Sequence, residues 1–144
     1  MVEDEWDKAV QNQLQANVAL MAVAKGVYAG VAPQAGDSGD KVAFPYVIID
    51  DTDFVDYHTD TETGYEVFMR IYTISRSPGR KETRVVQGLI RAALHRQHAT
   101  LSITDHSVLF IDREGSTVDE PNDTDGSWRG VCEYRAIVTS DLPD

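Results

Sequence analysis

The chain has 144 residues, 42% hydrophobic and 26% charged, which is enough for one buried core and short for two domains. Thirteen Lys and Arg face 24 Asp and Glu, a formal net charge of -11. This argues against a nucleic-acid grip, because that grip rests on neutralising phosphates. The single cysteine, Cys132, excludes an internal disulfide.

Val2–Asp7 is acidic and lacks the basic start of a signal peptide. No apolar run reaches the length that crosses a bilayer, so assembly in a cytoplasm with no membrane partner is expected. Trp6, Val10, Leu14, Val18 and Met21 recur at helical spacing. They predict a helix over 6–25, stopped by Gly26, with Glu3, Asp4 and Glu5 at its positive end and residues 1–5 flexible. Residues 30–41 read as a loop, with Pro33, Gly36 and Gly39 and no period. Pro45–Ile49 reads as a short strand with Pro45 at its first position. An acidic stretch over 50–62 follows, whose early part can continue the strand, with a turn at Thr59–Gly64.

Tyr65–Ile74 is the clearest strand. Tyr65, Val67, Met69, Ile71 and Thr73 point one way, and Glu66, Phe68, Arg70, Tyr72 and Ile74 the other. Ser77 and Pro78 read as N-cap and first position of a second helix, with Val85, Val86, Leu89, Ile90, Ala93 and Leu94 on its apolar face. Leu101–Ile103 and Ser107–Asp112 form either one interrupted strand or a hairpin. Residues 114–127 are polar and turn-rich. Trp128–Thr139 is the last strand, with Gly130, Cys132, Tyr134 and Ala136 alternating against Arg129, Val131, Glu133 and Arg135. A polar tail over 141–144 is expected to be flexible.

This order predicts a single α+β domain over 1–144: a two-layer sandwich, mainly antiparallel sheet with two helices on one face. Two helices cover only one side. The other carries Phe68, Tyr72, Ile74, Val131 and Ile137 among charged residues, the composition of a partner face unless a loop such as 114–127 folds over it. The expected contact residues are Phe68, Arg70, Tyr72, Arg129, Val131 and Arg135, with Asp53 and Asp56 from the acidic stretch.

No catalytic or metal motif is complete. His95-x-x-His98, with Asp105 and His106 beyond it, lacks a third ligand at motif spacing. The acids of 50–62 lack the glycine and the flanking helices of a calcium loop. Ser77–Lys81 lacks the spacing of a phosphate loop. Cys132 reads as a core filler. Phe68, Tyr72 and Trp128 have the residue types of a base-stacking sheet, but Glu66 and Glu133 interleave with the arginines, and cross-strand Arg–Glu pairing explains the pattern better.

Val27-Tyr28, then Ala32-Pro33, then Pro45-Tyr46-Val47 opening a strand, resemble the phage tail terminator (tail completion) family. So do Ala93-Leu94, Trp128-Arg129 and Tyr134-Arg135 in their places, and the likeness spans about 6–139. The resemblance implies a structural protein without catalysis or cofactor. It would form a ring, usually of six, on the last ring of the tail tube, at the head-proximal end of a virion tail. The implied partners are other copies of the chain, the tail tube protein and the head connector or stopper, with DNA passing through without specific binding. The readings beside it are a head-to-tail adaptor or stopper, a small-molecule-binding or enzymatic α+β domain, and an RNA-binding sheet.

Overall fold

The computed structural model describes residues 2–30, 44–58, 63–119 and 126–140. Strand β1 (Val27–Ala29) runs parallel to β2 (Tyr46–His58), and every other pairing is antiparallel. With β3 (Thr63–Ser75), β4 (His106–Val118) and β5 (Trp128–Ser140), the sheet order is β1-β2-β3-β5-β4. Helices α1 (Val2–Ala16), α2 (Val18–Met21) and α3 (Lys81–Leu94) supply the second layer. The α+β sandwich is as expected. Trp6, Val10, Leu14 and Leu20 pack with Val86, Ile90 and Leu94 over Val67, Met69, Ile71, Cys132, Tyr134 and Ala136, all buried.

Several boundaries differ from the sequence reading. The first helix starts at Val2, because Glu3, Asp4 and Glu5 meet the positive end of its dipole and Val2 packs against the core. Residues 2–5 are thus its first turn. It breaks at Asn17, whose side-chain Oδ1 accepts from the Leu20 amide and caps a new turn. The restart turns Val18, placed on the apolar stripe by spacing, out to 84% exposure.

The acidic stretch is largely strand. β2 pairs with β3 residue by residue from Thr52 to His58. Phe54 fixes its face by packing edge-on against Trp6 and Tyr65. Helix α3 begins at Lys81, not at Pro78. The Ser75 hydroxyl donates to Glu82 at 2.7 Å and receives the Ser77 amide, so 76–80 turn before the helix starts. Leu101 and Ile103 are buried beside a 3-10 turn (His98–Thr100), and one continuous strand, β4, follows. The predicted loop at 114–127 therefore begins as strand as far as Val118. Residues 31–43, 59–62, 120–125 and 141–144 lie outside the described residues.

Candidate interaction face of the sheet

Alternation along β3 and β5 puts one row of side chains under the helices and the other on a face that no described helix or loop covers. Phe68 is 40% exposed there, and Val55 on β2 is 50% exposed. Tyr72, Ile74 and Val131 are half-buried. Ile137, expected in the same open row, is only 4% exposed, held in register between Glu66 and Phe110.

The arginines among these residues are each paired with an acid. Arg70 and Glu133 are register partners, with Nε 3.5 Å from the carboxylate. Arg135 pairs with Glu66, and its guanidinium lies over the Phe110 ring. Arg129 pairs with Asp119 at 2.8 Å and lies over Tyr72. The arginines are thereby engaged, and Trp128 sits in register with buried Ser75 on the helix side, under Arg80. The three-aromatic stripe read from the sequence is therefore two residues on the open face, Phe68 and Tyr72.

Of the eight expected contact residues, Phe68, Arg70, Tyr72, Arg129, Val131, Arg135 and Asp53 share the open face by register. Asp56 does not. It pairs with Tyr65, whose ring packs on the core side, so it projects from the opposite face. The structure adds residues that alternation alone did not supply. Tyr28 and Phe44 meet Tyr46 at ring-centroid distances of 6.0 and 5.1 Å. They extend the face past Ile48, the register partner of Tyr28. The signal for Tyr28 is its place in β1, a three-residue strand too short to show a period.

Both outer strands bulge near one row. β2 gains residues between Ile49 and Thr52, opposite Arg70, and β4 gains Glu114 between the partners of Tyr134 and Glu133. Bulges bend the strands that carry them. A depression of about 430 Å³ lies at this level, lined by Asp50, Asp53, Phe68, Arg70, Glu114 and Glu133 among others.

Chemistry is sparse. Cys132 is buried, and burial pushes its thiol up to about 11, with Arg113 opposing. Burial also raises the Tyr134 phenol, whose hydroxyl has no hydrogen-bond partner among the described residues. His95 Nδ1 accepts the Arg113 amide at 3.0 Å, which ties it to β4. Among the described residues no three His, Cys, Asp or Glu side chains stand close enough to hold a metal ion, and alternation sends Asp53 and Asp56 to opposite faces. No described helix is long and apolar enough to cross a membrane.

Comparison with known proteins agrees with this architecture. A solved chain from a structure described as "Virion of native gene transfer agent (GTA) particle" superposes with a TM-score of 0.81 at 21% identity, covering 96% of this chain and 98% of that one. No curated protein matches. The family model for "Tail completion protein gp17" matches residues 8–139. With that span running from within α1 to near the end of β5 and taking in the open face, the chain belongs to the tail completion protein family, structural proteins of phage tails.

Proposed function

We propose that this chain is the tail terminator of a virion. Copies form a ring, of six as the family resemblance implies, that sits on the last ring of the tail tube, ends its growth and joins it to the head connector. The observation that carries the reading is the open sheet face. Phe68 and Val55 are exposed and Tyr72 and Val131 only half-buried by the described residues, on a chain that folds like a virion component. Apolar side chains fixed on a rigid sheet and framed by paired charges are a partner face. The family membership points the same way, to a structural protein of the tail. A net charge of -11 suits a ring that DNA traverses without adhering, since like charge repels within roughly 10 Å at moderate salt.

Electron microscopy of particles made without this chain tests the reading. Overlong tails, or tails not joined to heads, are expected. Normal tails on unstable heads would overturn it and assign the chain to the stopper position.

A further inference from the structure

The pairs Arg70–Glu133, Arg129–Asp119 and Arg135–Glu66 lie on or beside the open face, and two other stretches of the chain are each dominated by one sign of charge. Residues 76–96 hold six of the thirteen Lys and Arg and one acid, Glu82, which is bonded to Ser75. Lys81, Arg84 and Arg91 on exposed positions of α3 have no ion-pair partner among the described residues. Beside them, a cleft of about 250 Å³ between α3 and β4 is lined by Arg84 and Arg113 with Gln87, Ser116 and Thr117, and by no carboxylate among the described residues. Residues 50–62 hold six acids and no Lys or Arg. Asp53 and Asp56 there are exposed and likewise unpaired among the described residues.

The two charge groups stand at opposite corners of the sheet. α3 packs on β3, β5 and β4, and begins beside Ser75 and Trp128. Asp53 and Asp56 lie on β2, towards the other end of the strands, where Tyr57 pairs with Gly64 and His58 with Thr63. The acidic first turn of α1 joins them there, because Trp6 packs on Phe54. A surface whose complement lies elsewhere on the same molecule makes a heterologous contact, which closes into a ring when the rotation allows.

We infer that the unpaired basic face of α3 and the α3–β4 cleft receive the acidic outer half of β2 from a second copy of this chain. The inference rests on the ring reading for the existence of that copy, and it names the charged surfaces that join. Asp56, the one expected contact residue that projects from the helix side of the sheet, is then on the same layer as Arg84 and Arg113. Single exposed pairs contribute little, and several acting together set orientation and encounter.

Sedimentation velocity of the full chain at ~50 and ~500 mM salt tests this, since the longer screening length at low salt favours a charged contact. Assembly is expected to weaken at least about tenfold at the higher salt. The basic-face variant K81E/R84E/R91E and the acidic variant D53K/D56K are each expected to sediment as monomers. An equimolar mixture restores assembly, because each variant then meets its opposite. A chain carrying both sets also assembles. Circular dichroism of each variant alone establishes folding; if a reversal unfolds the chain, R84Q/R91Q and D53N/D56N replace it, each expected to weaken assembly. A wild type that stays monomeric at low salt overturns the inference, as does a reversal that assembles like wild type or a mixture that stays monomeric. Loss of tail joining by the α3 variant, with the wild type monomeric, would assign that face to another virion protein. Charge-reversible assembly into open filaments would keep this contact and sink the ring.

Discussion

Arg70 on β3 and Glu133 on β5 face each other in register, and at their row both outer strands take on extra residues, after Ile49 in β2 and at Glu114 in β4. The ion pair therefore sits on the line along which the sheet bends. Its side chains are 60% and 55% exposed, so Arg70→Ala is expected to cost only ~0–1 kcal/mol of stability. Arg135 and Glu66 are more enclosed, and Arg135 also covers the Phe110 ring. Arg135→Ala is expected to cost about 1–3 kcal/mol, because it strands Glu66. Urea denaturation of the two single variants checks the order. Equal losses would contradict it.

Glycine positions give a two-sided prediction. A Cβ on Gly130 would lie 2.5 Å from both Gln87 Nε2 and Thr83 Cγ2. Gln87 is not free to swing, because its amide donates to the Thr117 carbonyl. Gly130→Ala should therefore push α3 off β5 at a cost of about 1–3 kcal/mol. Gly88 lies on the exposed side of the same helix with nothing among the described residues within 4 Å of a new Cβ. Gly88→Ala should stabilise by about 0.5–1 kcal/mol. Thermal melts of the two variants are expected to shift in opposite directions.

The Cys132 thiol links stability to alkaline pH. Burial raises its pKa from 9.0 to about 11, so the folded state holds the proton more tightly than the unfolded chain. Its contribution is complete below pH 9 and is lost as pH rises from 9 to about 11. Cys132→Ala should flatten that part of the stability-against-pH curve, measured by urea denaturation at a series of pH values. Alkylation of the native thiol at pH 7 should be slow and should match the rate of opening.

Phe68 separates assembly from folding. Its ring is exposed in the single chain, so Phe68→Glu should change monomer stability by no more than ~0.5 kcal/mol. The same change should abolish self-association, because a carboxylate cannot be buried unpaired against a neighbour. Sedimentation velocity paired with a melt reads both quantities on one sample.

The middle of the fold was legible in the sequence because β3 and β5 keep strict alternation, so Val67, Met69 and Ile71 separate cleanly from Phe68, Arg70 and Tyr72. The edges were not. Water on the outer part of β2 tolerates Asp53 and Asp56, which disguises a strand as a loop. Asn17 ends α1 through a local hydrogen bond that helical spacing cannot register. Ser77-Pro78 carries the marks of a helix start, yet Ser75 takes the hydrogen bonds at that turn. Phe68, Arg70, Tyr72, Arg129, Val131 and Arg135 on the open face followed from alternation, whereas Asp53 stood out in the sequence only as part of the acidic stretch. Asp119, the partner of Arg129, depends on tertiary placement at the end of β4.

The central claim is that the sheet's second face is covered by another protein chain at the head-proximal end of a tail. Electron cryomicroscopy of assembled particles containing this chain tests it most directly. A closed ring between tube and connector, with Phe68, Tyr72 and Val131 against a neighbouring chain, is the expected result. The same face open to solvent in the assembled particle, or the chain placed away from the tail, would contradict it.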